Sequence, residues 1–140
     1  QVHESKAFGA DIILLIASIL SKKEIIEFSS IAKNLDLEVL IETHNEEDLN
    51  KSLVKNIDFI GVNNRDLKTF DVSLEISKKL SSKIPDNYLK ISESGIKSIK
   101  DIKILKSYGF KGFLIGENFM KSNSPGIELK NFIKNIEQWN

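Results

Sequence analysis

The sequence predicts an α/β protein in which parallel strands alternate with helices. Five short apolar runs are separated by amphipathic segments that have helical periodicity. The β-α order repeats at intervals of roughly 20–30 residues, which is typical of parallel strands joined by right-handed crossovers. Because no linker or low-complexity segment interrupts this order, residues 1–140 are predicted to form a single domain.

The predicted strands are apolar runs of strand length. Most are almost continuously apolar, as expected for strands that are covered on both faces. Lys90 interrupts the fourth, and we expect this lysine at an edge or a layer boundary. The predicted strands are Asp11–Ala17, Glu38–Glu42, Phe59–Asn63, Tyr88–Ser92 and Gly112–Ile115.

Polar residues mark where the helices between the strands begin. Serine, asparagine and proline are typical of the first positions of a helix, and an acidic residue three positions after the cap completes a capping box. The first eight residues have the pattern of the last turns of another helix. The helix-start residues are Ser21 with Glu24, Asn45, Ser98 with Asp101, and Ser124 before Pro125.

Composition excludes several functional classes. With 20 basic and 20 acidic residues, the chain has neither a basic field for nucleic acid nor a polybasic membrane anchor. Its longest apolar run, Ile12–Ala17, is too short to span a bilayer. There is no cysteine, which excludes a disulfide framework or a thiolate metal site and fits a reducing cytoplasm. The two histidines are isolated, so no zinc site is predicted.

Two architectures accommodate this order of elements. One is an open, doubly wound five-stranded sheet, which would be complete at this length. The other is part of a (β/α)₈ barrel, which needs about 250 residues. The pattern of elements alone favours the open sheet, and in both architectures functional residues follow the carboxyl ends of the strands.

Polar residues follow the second and third strands. Glu42 is poised as a general base or an electrostatic stabiliser, with a pKa that partial burial raises, or else is a solvated or helix-capping acid. Asn63, Asn64 and Arg65 can hold sugar hydroxyls or a carboxylate, or else form a turn with an Arg65–Asp66 surface pair. His44 is placed to border the same pocket, but no catalytic role is predicted for it.

Glycine loops follow the last two strands. Ser94-Gly95 precedes a helix start, where backbone N–H groups and the helix dipole favour an anion, although a tight turn explains the pair equally well. Gly116-Glu117 supplies a second set of backbone donors. Two successive loops of this kind match the phosphate site of a (β/α)₈ barrel, which reverses the preference between the architectures.

These motifs resemble the indole-3-glycerol phosphate synthase family over nearly the whole chain. The segments in family order are GADIILLIASIL, LEVLIETHNEEDL, IDFIGVNNRDLKTFDVSLE, ISESGIKSIKDI and GFLIGENFMKSNSPG. Other phosphate-binding barrels share the glycine loops but lack the NNRDLKTF string. The resemblance implies the C-terminal five-eighths of a (β/α)₈ barrel, strands four to eight.

The resemblance also implies an activity. The family closes the indole ring in tryptophan biosynthesis, converting 1-(2-carboxyphenylamino)-1-deoxyribulose 5-phosphate to indole-3-glycerol phosphate with loss of carbon dioxide and water. It is a cytoplasmic carboxy-lyase that needs no cofactor or metal. Its partner is therefore a small phosphorylated substrate.

Site roles follow from the matching motif positions. Glu42 and Asn63 are implied to be catalytic, Glu42 as base or stabiliser of the cationic intermediate and Asn63 by orienting the substrate. Glu117 is implied to contribute its backbone to the phosphate site. The implied substrate-binding residues are Leu14, Arg65, Leu67, Glu93, Ser94 and Leu114, and the implied phosphate-binding residues are Ser94, Gly95, Gly116 and Glu117.

The family's remaining catalytic residues lie upstream of Gln1. They are a glutamate and a lysine on strand one and a lysine on strand three that serves as the general acid. We therefore expect this chain alone to be inactive, and its two open sheet edges to pair with the missing N-terminal barrel segment or with other copies. The alternatives are another phosphate-sugar barrel, such as a phosphoribosyl isomerase, and a non-catalytic open-sheet module that binds phosphate or a protein.

Overall fold

A computed structural model describes residues 1–137 and contains one five-stranded parallel sheet with its strands in chain order. Each strand begins and ends within about one residue of the predicted bounds. Trp139, predicted to pack or fray rather than to stack on a substrate, lies outside the described residues. The strands are β1 (Ile12–Ile16), β2 (Glu38–Thr43), β3 (Phe59–Asn63), β4 (Leu89–Glu93) and β5 (Gly112–Leu114).

Helices follow every strand, and a short helix precedes β1. Ser21 and Ser98 form the predicted capping boxes, and the Asn45 side chain accepts a hydrogen bond from the Asp48 N–H at 2.9 Å. No helix within residues 1–137 combines the length and apolarity needed to cross a membrane. The helices are α1 (Val2–Ala7), α2 (Lys22–Asn34), α3 (Glu46–Ser52), α4 (Glu75–Ser81), α5 (Ile99–Ser107), α6 (Glu117–Met120) and α7 (Pro125–Glu137), with a 3₁₀ turn at Ala17–Ile19.

The sequential strand order excludes the doubly wound alternative. A doubly wound sheet reverses its strand order at a switch point, whereas here every strand pairs with its neighbour in the chain. Right-handed crossovers in this order place each connecting helix on the same face of the sheet. The result is the geometry of a partial (β/α)₈ barrel.

The core lies between the helices and one face of the sheet. Alternate strand residues form it with apolar residues of the helices. The opposite, concave face is open, and its residues Ile12 and Leu14 are 42% and 43% exposed. The prediction that β1 is covered on both faces is therefore wrong for the chain as described. The strand and helix residues at the centre of the core are Ile13, Leu15, Val39, Ile41, Ile60, Val62, Ile25, Ala32, Leu49, Leu80 and Leu105.

Lys90 does not lie in an edge strand, because β4 pairs with strands on both sides. Its side chain extends between the sheet and α4, where Nζ donates to the carbonyl of Ser81 at 2.9 Å. That carbonyl belongs to the last turn of the helix, where carbonyls lack intrahelical partners. Of the two predicted locations, the layer boundary is the one observed.

Candidate active site at the carboxyl edge of the sheet

A cavity of about 600 Å³ lies at the carboxyl ends of β2 to β5. Every predicted site residue except Leu14 and Leu67 lines it. Residues from four different strand ends therefore meet in one place, as expected for a parallel sheet. The predicted residues that line the cavity are Glu42, Asn63, Arg65, Glu93, Ser94, Gly95, Leu114, Gly116 and Glu117.

The two remaining residues lie elsewhere. Leu14 is on the concave face of β1, at the far edge of the sheet, and lines a second hollow beside α1. Leu67 lies in the loop after β3 and is about half exposed. Their roles as apolar pocket residues stay predictions.

Strand register explains why four of the side chains face the cavity. Glu42 pairs with Gly61, Asn63 pairs with Glu93, and Glu93 pairs with Leu114. Because side chains alternate between the faces of a strand, these residues share the concave face, opposite the helices. The alternation of side chains along each strand and the register between strands therefore place all four side chains on the open face of the sheet.

Gly61 makes room for the Glu93 carboxyl group. A Cβ atom at Gly61 would collide with Glu93 Oε1, so the missing side chain lets the carboxyl group lie over β3. Glu93 is only 4% exposed, and its Oε1 has no hydrogen-bond donor within residues 1–137. The interaction of Glu93 with the nearby Glu42 carboxyl group is favourable only when one of the two carries a proton.

The environments of these two carboxyl groups separate their pKa values. Burial, and then the charge of Glu42, raise the pKa of Glu93 to about 8. The contact with His44, above all, lowers the pKa of Glu42 and outweighs burial, which by itself raises that pKa. The prediction of a raised pKa for Glu42 is therefore wrong, although burial acts in the predicted direction. Near neutral pH, Glu42 is ionised and Glu93 carries the proton.

The loop after β4 has the backbone of an anion site. Ser94 and Gly95 have φ angles of 64° and 74°, and a Cβ at Gly95 would collide with Val72 Cγ1. Position 95 thus needs a glycine for two reasons: its φ angle is positive, and the neighbouring loop with Val72 leaves no room for a Cβ atom. Around Gly116 nothing lies within 4 Å of a Cβ position, so that backbone is open to a ligand. Successive amides in turns of this kind form concave anion sites.

Arg65 spans the mouth of the cavity. Its Nη2 lies 2.6 Å from Glu117 Oε2, so the predicted Arg65–Asp66 pair is not formed. The Glu117 side chain also binds Lys121 Nζ at 2.6 Å. Glu117, expected to act through its backbone, therefore also holds two cations at the rim. Because of these cations, the pKa of Glu117 lies below its usual value.

Lys97 and Lys121 also line the cavity and were not predicted as site residues. Both follow the predicted glycine loops closely in the chain, which was the available signal. The positive charges of Lys97 and Lys121 at the rim of the cavity complement the charge of a phosphate dianion. A metal would need a different arrangement: the part of the chain that the structure describes has no group of three or more histidine or acidic residues able to hold one.

Asn64 is a structural residue rather than a ligand. Its amide nitrogen donates to Ser92 Oγ at 2.9 Å, to the Glu93 carbonyl at 3.0 Å and to the Ser94 carbonyl at 3.1 Å. Its oxygen accepts from the Ser77 N–H at 3.2 Å. This fully buried amide joins the loops after β3 and β4. Of the two adjacent amides predicted to contact substrate, only Asn63 reaches the cavity.

Comparison with known proteins relates the chain to one family. The family model described as "Indole-3-glycerol phosphate synthase" matches residues 1–134. The indole-3-glycerol phosphate synthase of Alkaliphilus metalliredigens is 47% identical over 130 residues, covering 93% of this chain and 50% of the relative. That of Caldanaerobacter subterraneus is 46% identical over 136 residues, covering 97% and 52%. The chain thus spans about half the length of the curated relatives it matches.

Solved structures support the fold alone, because their sequences are distant. The KGPDC of Streptococcus mutans aligns with a TM-score of 0.72 at 14% identity, covering 99% of this chain and 66% of that chain. The tryptophan synthase α2β2 complex of Pyrococcus furiosus aligns with a TM-score of 0.68 at 17% identity, covering 98% and 59%. The neighbours are (β/α)₈ barrels, and this chain covers 66% of the first and 59% of the second.

Proposed function

The chain belongs to the indole-3-glycerol phosphate synthase family of lyases, and on that premise we propose that it supplies the base and the phosphate site for indole ring closure. The reaction converts 1-(2-carboxyphenylamino)-1-deoxyribulose 5-phosphate to indole-3-glycerol phosphate, carbon dioxide and water. The protein's place would be the tryptophan pathway in the cytoplasm.

One observation carries this proposal: two carboxyl groups whose pKa values shift in opposite directions and two glycine loops surround a single cavity. Its volume of about 600 Å³ lies within the usual range of small-molecule sites. A phosphorylated sugar attached to an aromatic acid needs this combination of a polar end, an apolar surface and proton-transfer groups.

Glu42 and Glu93 take different parts in the chemistry. Ring closure forms a bond at the carbon that carries the carboxylate and develops positive charge on the substrate, which the Glu42 carboxylate stabilises. Loss of carbon dioxide from that carbon restores the benzene ring, and Glu42 accepts the proton that is lost when the hydroxyl group departs as water. The protonated Glu93 donates a hydrogen bond to a substrate oxygen, a role that its high pKa permits near neutral pH. Asn63 lies between them in the register and orients the substrate.

The remaining residues bind the ends of the substrate. The Ser94-Gly95 loop and the Gly116-Glu117 backbone bind the phosphate, and Arg65 offers its planar donor fork to the substrate carboxylate. Leu114, on the concave face, contacts the aromatic ring. No step here requires a cofactor.

Turnover requires groups that these 140 residues do not contain. The family resemblance assigns general acid catalysis to a lysine on barrel strand three, upstream of Gln1. Glu93 is assigned only a hydrogen bond to the substrate, so without this general acid we expect dehydration not to finish. We therefore propose that the 140-residue chain binds the substrate but does not convert it.

Titration calorimetry of the purified chain with this substrate tests binding. We expect Asn63→Ala to weaken binding about tenfold, near 1.4 kcal/mol, because one polar contact is lost. The matched control is Asn50→Ala, which removes an exposed amide from α3. Equal affinities of wild type and Asn63→Ala would show that Asn63 does not contribute to substrate binding. Failure to bind either this substrate or inorganic phosphate would contradict the proposal.

An activity assay on the same samples tests the remaining points. We expect no indole-3-glycerol phosphate, and measurable turnover by the pure chain would show that the inactivity proposal is wrong. A phosphoribosyl isomerase substrate belongs in the same panel. Tighter binding of that compound would favour a different phosphate-sugar barrel.

A further inference from the structure

His44 is a buried titratable residue that the proposed chemistry does not use. It follows β2, two residues after Glu42, and its side chain is 10% exposed. Nε2 lies 3.1 Å from Glu42 Oε1, and Nδ1 lies 3.6 Å from Asp48 Oδ2. Neither nitrogen makes a hydrogen bond of good geometry in the described part of the chain, so both contacts are ion pairs at close range.

Asp48 is itself held in place. Its backbone N–H donates to the Asn45 cap, and its Oδ2 accepts from the His44 N–H at 3.2 Å. Lys51 Nζ lies 3.4 Å from its Oδ1. The imidazole is therefore clamped between a carboxylate from the end of β2 and a carboxylate from the first turn of α3.

We propose that His44 is a positioning residue, which holds the Glu42 carboxylate through Nε2 while Asp48 holds the ring through Nδ1. The inference rests on the proposed function, because only there does Glu42 act on a substrate. His44 does not line the cavity, so it acts through Glu42 rather than on the substrate.

The geometry around His44 indicates the charge state of its imidazole ring. Each ring nitrogen faces a carboxylate oxygen, and a neutral imidazole would turn one lone pair toward a carboxylate. The two carboxylates therefore favour the doubly protonated, cationic form of the ring. The groups that face the ring are Glu42 from β2 and Asp48 from α3, with Lys51 of α3 and Glu93 of β4 behind them. The contact with Glu42, foremost, raises the pKa of His44 despite its burial.

The imidazolium has a consequence for the two carboxyl groups of the cavity. A cation beside Glu42 favours its ionised form, so the proton that the pair shares resides on Glu93. His44 and the deeper burial of Glu93 thus act together to make Glu42 the base and Glu93 the hydrogen-bond donor. Without His44 only the difference in burial would separate the two pKa values, and the pair would share the proton more evenly.

Nuclear magnetic resonance titration of the imidazole nitrogens in the 140-residue chain tests the clamp. The chain has only two histidines, and His3, exposed on α1, gives an internal reference in the same spectra. We expect the His44 midpoint to lie above the reference and to fall in both Glu42→Gln and Asp48→Asn. The matched control, Glu47→Gln, removes an exposed acid from the same helix turn and should leave the midpoint in place.

Two results would contradict the proposal that His44 is held between Glu42 and Asp48. One is a His44 midpoint that does not change in Asp48→Asn. The other is an equal change in Glu47→Gln, which would indicate general charge rather than direct contact.

Carboxyl ¹³C titration tests the effect on Glu42. We expect His44→Gln to raise the Glu42 midpoint, because glutamine keeps a donor but lacks the charge, while His3→Gln leaves it unchanged. If His44→Gln fails to fold, Asp48→Asn, which keeps the histidine, should raise the Glu42 midpoint to a smaller extent. No effect in any folded variant would sink the inference.

These readings involve no substrate. A normal His44 clamp with no substrate binding would therefore count against the proposed function alone. Substrate binding with an unshifted His44 would count against the inference alone.

Discussion

At the end of β3, two adjacent asparagines lie in opposite environments. Asn63 points to the cavity, whereas Asn64 is fully buried and bonded to the loop after β4. Asn64 holds the backbone of Glu93 and Ser94, so the position of the proposed phosphate loop depends on a residue that does not line the cavity. A polar side chain at the end of a strand can thus either face the cavity, where it can bind a ligand, or point into the protein, where it holds neighbouring loops in place.

Asn64→Ala should destabilise the chain by about 2–4 kcal/mol, because it leaves several buried polar groups without partners. Asn63→Ala, with the same change in composition, should cost less than about 1 kcal/mol. Urea unfolding of both variants measures the difference. Similar losses in the two variants would contradict the distinction drawn between them.

Glu93 should make the stability of the chain depend on pH. The folded chain keeps the Glu93 proton up to about pH 8, whereas an unfolded chain releases it near 4.5. The folded state binds more protons between these values, so the free energy of unfolding falls as the pH rises through this window. The decline contributed by this group is at most about 1.4 kcal/mol per pH unit.

Glu93→Gln should remove that contribution, because glutamine stays neutral while filling the same space. Unfolding of both proteins at pH 5 and pH 8 measures it: the variant should gain stability relative to wild type at the higher pH. The pKa of His44 is raised in the folded chain, so this residue also makes stability depend on pH. The difference between the two proteins, and not the slope of either, is therefore the test. An unchanged difference would show that Glu93 does not retain its proton.

In the proposed function, phosphate binding depends most on the loop between β4 and α5. It combines two residues in the left-handed region with the contact between Gly95 and Val72. The capping box at Ser98 then begins α5 directly behind the loop. The local sequence thus determines the conformation of this loop, and Val72 of the loop after β3 packs against it.

Gly95→Ala should cost about 1–3 kcal/mol of stability and weaken phosphate binding, because alanine is strained at positive φ and its methyl group would meet Val72. Gly126→Ala in α7 is the control. No atom lies near its Cβ position, so alanine there should be neutral or stabilising by up to about 1 kcal/mol. Thermal unfolding and phosphate titration measure both; a tolerated Gly95→Ala would refute the close approach.

At the scale of the whole molecule, the concave face distinguishes this chain from a closed barrel. Apolar side chains remain exposed on it, and within residues 1–137 the strands β1 and β5 each pair on one side only. Unpaired strand edges next to an apolar surface favour association with other chains.

We therefore expect the chain to self-associate as its concentration rises, which sedimentation velocity would measure. Ile12→Lys puts a charge on the edge strand β1 and should reduce association. Ile26→Lys changes an exposed isoleucine on α2 and should have little effect. A wild-type chain that stays monomeric would contradict the prediction, and equal effects of the two variants would place the contact elsewhere.

Much of this molecule follows from local sequence. Strand positions, helix caps and glycine loops depend on interactions within a few residues, so periodicity and residue type are sufficient to predict them. The family motifs likewise lie in short segments. On these grounds the sequence alone determined the order of elements, the family, and most of the residues that line the cavity.

Only the tertiary structure decided the charge states and the roles of neighbouring residues. Glu42 and Glu93 are far apart in the chain, and their pKa values separate because strand register brings them together beside His44 and beneath different degrees of cover. The sequential strand order likewise depends on long-range pairing, which short-range periodicity does not specify. Burial and the electrostatic neighbours of a group are properties of the packed sheet, and no local pattern determines them.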